Sequence, residues 1–282
     1  MDMREPGKEL SNMEKFYINV KSDVRRKKEF EKNNKYILNK NHIFKRFCAI
    51  TPKNEKVRNL KSNLLPLDRS IFLSHYELLK QQLKSNSHLW ICEDDTYLDK
   101  NTFNTLNKTN IDAYDWDIIF TDVGIGDISN MLFLFDYKKK ASKEKSILID
   151  LAKFRFFCAN SYIINKNSKK KLLEIYEKNI EARVNYMPDL FFQKLTKNGL
   201  IKSLCFFPFI SFSNFKTTKS GVHNNRENEI FLFFKKLMYY NTNLNELNNK
   251  IDKLEHKFPR DNYAYSISRL IGMMLNKEFS GY

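Results

Sequence analysis

The run Glu93-Asp94-Asp95 closes an apolar segment, HLWIC (88–92). On an extended chain, side chains at i and i+2 point the same way, which puts Glu93 and Asp95 on one side. If the segment is a strand of an α/β sheet, its carboxyl end lies at the edge where ligands bind. Paired carboxylates there supply hard oxygen ligands for one divalent cation, Mg²⁺ or Mn²⁺. Such a cation bridges a diphosphate and neutralises charge on a departing group. The same residues admit a plainer reading: a strand that ends in an acidic turn, with Asp99 capping the next helix. Asp122 is a second acid at a strand end, just ahead of Gly124-Ile125-Gly126, where it can serve as a proton acceptor.

The elements that must position these acids follow from the apolar pattern. KFYINV (15–20), HIFKRFCAITP (42–52), HLWIC (88–92), WDIIFTDVG (116–124) and SLCFFPFISFS (203–213) are apolar, β-branched or aromatic runs that predict strands. ILIDLAKFRFF (147–157) and ANSYIIN (159–165) predict a β-hairpin or strand pair. Helices are predicted over 22–33, with Ser22 or Asp23 as cap, and over 67–86, where Ile71, Leu73, Tyr76, Leu78, Leu79 and Leu83 keep helical spacing. Two more are predicted over 168–182 and 187–199, the last with Pro188 early and Gly199 at its end. The stretch around KKKASKEK (138–145) is expected to be poor in helix.

Strands alternating with helices imply an α/β sheet. After about residue 225 the pattern changes: Leu244, Leu247, Ile251, Leu254 and Phe258 form a short a/d seam. That seam either packs on the main domain or pairs two chains. The expected organisation is a domain over 1–222 and a helical extension over 223–282.

Composition narrows the function classes. With 42% hydrophobic and 14% aromatic residues in 282, the chain can build a sizeable core, which excludes intrinsic disorder. Cys48, Cys92, Cys158 and Cys205 are scattered through apolar runs without a CxxC, so they read as small buried hydrophobes rather than zinc ligands or a disulfide framework. That usage fits a reducing compartment. MDMREPGKELSNMEK has no apolar h-region and no later stretch is long and apolar enough to span a bilayer, so a cytoplasmic location is expected.

The net charge of +16 is uneven. Residues 1–62 hold 17 Lys/Arg against 8 Asp/Glu and residues 137–220 hold 18 against 6, whereas residues 91–136 hold 2 against 10. An acidic island suits a cation better than it suits direct phosphate binding. The aromatics cluster in strands such as CFFPFISF, where core packing accounts for them. A nucleic-acid-binding module is therefore the weaker alternative, and no nucleic-acid partner is expected. The basic flanks suit an anionic membrane surface.

Taken in order, FYINV with Arg25 and Arg26, LSHYELLK (73–80), LWICEDDTYL (89–98), WDIIF (116–120), CANSYIINKNSKKKLL (158–173) and MPDLFF (187–192) resemble the motifs of glycosyltransferase family 25. This family comprises lipooligosaccharide-biosynthesis enzymes related to collagen galactosyltransferases. The resemblance spans roughly residues 14–222. It implies a Rossmann-like GT-A fold, a UDP-sugar donor carrying galactose or glucose, inversion at the anomeric carbon and a lipooligosaccharide or LPS acceptor.

Carried over residue by residue, the resemblance makes Asp95 the principal ligand of Mn²⁺ or Mg²⁺. Glu93 is a second acid directed at the metal or the donor, although it stands where the family has Asp. Asp94 would hydrogen-bond the sugar, and Asn19, Arg25, Arg26 and His75 would line the donor site. Asp189 matches the family's Asp and would take the acceptor's proton, with Asp122 as the alternative. His223 would be a late metal or diphosphate contact, by position alone. The resulting expectation is a metal-dependent inverting hexosyltransferase on the inner face of the cytoplasmic membrane. Homodimerisation through the C-terminal helices is a further expectation.

Overall fold

Along the central strands, Tyr17, Trp90 and Ile163 face one way while Ile18, Ile91 and Ile164 face the other. Both faces of the sheet are thus apolar, and both have to be covered. The computed structural model describes residues 13–34, 43–140, 146–213, 234–236, 238–240 and 249. Its strands, in chain order, are β1 (Met13–Asn19), β2 (Lys45–Cys48), β3 (His88–Glu93), β4 (Thr96–Leu98), β5 (Ile118–Phe120), β6 (Gly124–Ile125), β7 (Ile147–Asp150), β8 (Phe156–Phe157), β9 (Ser161–Ile164), β10 (Ser203–Phe207) and β11 (Ser211–Ser213). Its helices are α1 (Val24–Asn34), α2 (Glu55–Asn59), α3 (Pro66–Gln81), α4 (Lys100–Lys108), α5 (Ile128–Lys140), α6 (Lys169–Ala182) and α7 (Pro188–Lys197).

Seven strands form one mixed sheet in the order β2-β1-β3-β9-β5-β10-β7. β1 runs parallel to β2 and β3, β5 runs parallel to β10, and β9 lies antiparallel between β3 and β5. The register, with Ile18 opposite Glu93 and Cys92 opposite Ser161, brings the ends of β1, β3 and β5 and the start of β9 to one edge. This is the Rossmann-like α/β architecture expected from the sequence. Small ladders β4–β11 and β6–β8 rise beyond that edge.

Four expectations are corrected. The helix-poor stretch contains α5, whose sequence ISNMLFLFDYKKK carries apolar residues on every side and so shows no amphipathic period. The pair expected from 147–157 and 159–165 does not form: β7 pairs with β10, β8 with β6, and β9 inserts between β3 and β5. The strand predicted over 203–213 is two, β10 and β11, separated by Pro208, which has no N–H to donate to a ladder. Cys48 is exposed rather than buried, because it ends β2 at the sheet margin.

Most of the expected extension over 223–282, including its heptad seam, lies outside the described residues. Its described residues between 234 and 240 join the main core. Met238, Tyr239 and Tyr240 are buried, the Phe209 N–H donates to the Tyr239 carbonyl at 3.0 Å, and both tyrosine rings meet Phe209. Lys235 Nζ donates to both carboxylate oxygens of Asp122, at 2.8 and 2.9 Å, with both side chains out of water. Removing one partner of such a pair strands the other charge. Lys235→Met should therefore lower unfolding free energy by about 3–5 kcal/mol, while Asp122→Asn/Lys235→Met recovers most of it. Chemical denaturation of both variants checks this, and because burial raises the Asp122 carboxyl above its ordinary value, the single-variant loss should shrink as pH is lowered.

Candidate functional site

β3 ends at Glu93, and Asp94-Asp95 turn the chain into β4, so the extended backbone expected through the triplet stops at its first residue. The consequence is a three-way division of the acids. Glu93 continues the Leu89/Ile91 face toward α3, and Asp94 continues the Trp90/Cys92 face toward α1. Asp95 sits at the edge between them. Asp99 caps α4 by accepting from the Thr102 N–H at 2.8 Å, within a capping box.

On the α1 side, Asp94 is held firmly. It accepts from Asn19 Nδ2 at 2.6 Å and forms an ion pair with Arg26 Nη2. Arg26 sits in the first turn of α1, beside Asp23, whose carboxylate accepts from the Arg26 N–H at 3.0 Å. Asn19 is oriented from behind by Arg46, which donates to its Oδ1 at 2.5 Å and to the carbonyls of Val20 and Lys21 at 3.0 Å each. The expectations missed Arg46. A charged residue inside a predicted strand was the available signal, because a strand buries alternate side chains.

On the α3 side, His75 is buried with Nδ1 at 2.6 Å from the Tyr162 hydroxyl and Nε2 at 3.7 Å from Glu93 Oε1. The two rings also stack at 5.7 Å. This chain of contacts orients Glu93 from the centre of the sheet. Tyr162, on β9, was not foreseen as a site residue. Beneath it, the Thr121 hydroxyl bonds to those of Ser161 at 2.6 Å and Ser211 at 2.7 Å, fastening the ends of β5, β9 and β11 together.

The remaining predicted residues divide. Asp189, at the start of α7, accepts from the N–H groups of Leu190 at 2.8 Å and Cys158 at 3.1 Å. Its carboxyl is raised above the ordinary range by burial, and Glu93 is close enough to add to the shift. Cys158 has a φ of 77°, a left-handed conformation that the Asp189 contact helps to hold. Asp122 lies under the site, sealed with Lys235 rather than open to the edge. Arg25 points outward beside Glu29 at 3.7 Å. His223 lies outside the described residues.

Asp95 is only partly satisfied. Arg26 reaches it at 3.6 Å, but its buried Oδ1 has no hydrogen-bond partner, and neither have Asn160 Oδ1 nor Arg26 Nε. Burial first, and then the charge of Glu93, push its carboxyl up to about 7. The edge thus holds buried oxygens with no hydrogen-bond donor, next to a guanidinium N–H with no acceptor. Among the described residues no group of three or more His, Cys, Asp or Glu side chains converges to hold a metal ion. Two surface clefts, one around Asp117 and Lys171 and one around Tyr76 and Lys80, lie away from this edge.

The raised acid has a thermodynamic signature. Between its ordinary value of 3.8 and about 7, folded Asp95 keeps a proton that the unfolded chain has lost, so its contribution to stability falls as pH rises through that window. Asp95→Asn should accordingly raise Tm at pH 8, by roughly 2–4 °C for each kcal/mol of penalty relieved. The gain should vanish near pH 4. Thermal melts of both proteins across this range measure it, and a lower Tm at pH 8 would contradict the burial penalty.

A comparison with curated proteins found no match. Against protein-family models, that of glycosyltransferase family 25 (LPS biosynthesis protein) matches residues 12–188, more than half of the chain. The matched region contains β1, α1, α3, β3 with the acidic triplet, and β9, and it ends one residue before Asp189. With its seven-stranded mixed sheet in the Rossmann-like GT-A arrangement, the chain belongs to glycosyltransferase family 25, the glycosyltransferases of LPS biosynthesis.

Proposed function

We propose that this glycosyltransferase moves a hexose, galactose or glucose, from a UDP-sugar to a lipooligosaccharide or LPS acceptor, with inversion and with a divalent cation. The observation that carries the reading is the unsatisfied group at the sheet edge: Asp95 Oδ1 and Asn160 Oδ1 beside Arg26 Nε. A nucleoside diphosphate with its cation presents the complementary charges. Mn²⁺ or Mg²⁺ held by Asp95 and Glu93 would neutralise charge on the departing diphosphate. Arg26 suits the diphosphate oxygens, since a guanidinium donates in a planar fork. Asn19 and Asp94 set its position from one side, and His75 sets that of Glu93 from the other.

In an inverting displacement the acceptor hydroxyl oxygen bonds to the anomeric carbon as the bond from that carbon to the diphosphate oxygen breaks. The electron pair leaves with UDP, and the hydroxyl proton passes to a carboxylate. Asp189 is the group for that step. Two backbone N–H groups fix its orientation, and burial raises its basicity toward the working range. Asp122 is the weaker choice, because Lys235 already occupies both of its oxygens. The basic flanks favour a position on an anionic inner leaflet, where a lipid-linked acceptor resides.

A donor screen with UDP-Gal, UDP-Glc, UDP-GlcNAc and UDP-GalNAc, following UDP release, tests the reading. Release should require Mn²⁺ or Mg²⁺, be greatest with a hexose donor and disappear in Asp95→Ala with the fold retained. Because metal binding needs ionised Asp95, release should also decline as pH falls below about 7. Full activity in EDTA would transfer the charge-neutralising role to Arg26. Asp189→Asn should lower kcat by about 10²–10⁴-fold, and a wild-type kcat would remove Asp189 as the base.

A further inference from the structure

Helix α5 is apolar on two sides. Met131 and Leu134 are buried in the core, whereas Leu132 and Phe133 remain 58% and 59% exposed and Tyr137 36%. At 3.6 residues per turn these three share the outer side of the helix. Asp136 and Lys140 lie on the same side, 56% and 75% exposed, and pair with each other at 2.6 Å, so this one acid of the face is neutralised by its own lysine. The Phe133 ring meets that of Phe154 at 6.5 Å, and the neighbours of Phe154, Lys153 and Arg155, are both exposed. A contiguous set of large apolar side chains in water marks an interaction surface. With its own acid paired and Lys153 and Arg155 at its border, it has the composition of a helix that lies in the interface of an anionic bilayer. The surrounding sequence agrees, since residues 137–220 hold 18 Lys/Arg against 6 Asp/Glu.

We infer that the outer face of α5, Leu132, Phe133 and Tyr137 bordered by Lys140, Lys153 and Arg155, docks on an anionic phospholipid surface. The same face is tied to the site by a short ladder. β6, just before α5, pairs with β8, and the Gly126 N–H donates to the Arg155 carbonyl at 2.8 Å. The residue after β8 is Cys158, whose N–H is held by Asp189. Docking through α5 therefore sets Asp189 at a fixed attitude to the bilayer, facing an acceptor seated there. That orientation rests on the lipid-linked acceptor of the proposed function, whereas the docking itself does not.

The test is co-sedimentation of the full chain with phosphatidylcholine vesicles, with and without phosphatidylglycerol, at low salt. The protein should pellet with the phosphatidylglycerol-containing vesicles, and Leu132→Ser/Phe133→Ser should weaken this about tenfold or more. Lys140→Glu/Lys153→Glu should remove the preference for the anionic lipid. Neither variant should alter Tm or UDP release to a soluble acceptor sugar. If Leu132→Ser/Phe133→Ser binds as the parent does, α5 is not the docking face, though the membrane position stands. If the parent itself ignores phosphatidylglycerol, docking is overturned, while the donor screen still judges the chemistry separately. If light scattering shows a dimer that Leu132→Ser/Phe133→Ser dissolves with vesicle binding unchanged, the face joins two copies and the inference also falls.

Discussion

Three adjacent carboxylates at the edge of a buried sheet repel one another and lose hydration, and the arrangement of this edge follows from that cost. The turn after Glu93 sends successive acids to different faces, so each meets a different neighbour. Asp94 receives Arg26 and Asn19, and Asn19 in turn needs Arg46 on the adjacent strand. Glu93 receives His75, which the Tyr162 hydroxyl fixes from the central strand. The first strands of the sheet and helices α1 and α3 are thus all committed to three consecutive side chains.

Two other buried acids show what fuller compensation looks like. Asp117, at the opposite end of β5, is also partly buried, yet hydrogen bonds from Lys171, Ser168 and the Lys202 N–H outweigh that burial and bring its carboxyl below the usual value. Asp122 has Lys235 on both oxygens. Asp95 alone of these keeps a buried oxygen with no partner and a carboxyl pushed up to about 7. A fold that pairs Asp117 and Asp122 on both oxygens and leaves Asp95 with one unpaired gives up stability at this edge, as functional sites commonly do.

Legibility in the sequence followed the range of the interactions. The strand β3, its acidic end, helix α3 with His75 and the α6 and α7 helices depend on residues close together in the chain, and their periodicity and apolar runs were sufficient. Helix α5 was missed because an apolar residue on every side erases the period that marks a helix. The pairing of β7, β8 and β9 was missed because short apolar runs carry no record of which neighbour they will choose. Arg46 and Lys235 were missed for a different reason: each acts on a side chain remote in sequence, separated by 27 and 113 positions. A lysine inside the apolar run FLFFKKLMYY was the one local sign that a buried acid awaited it.

That separation of 113 positions has a consequence for synthesis. A ribosome adding about 5–20 residues per second needs roughly 6–20 s to pass from Asp122 to Lys235. Throughout that interval the core beneath the edge lacks its cation, and a dry Asp122 can be accommodated only as the neutral acid or by leaving the core open to water. The nascent chain therefore cannot close its core strand by strand in the order of translation. The last described segment, with Lys235, Tyr239 and Tyr240, acts as the closing piece, so the acid-lined edge reaches its final shape only when most of the chain has been made.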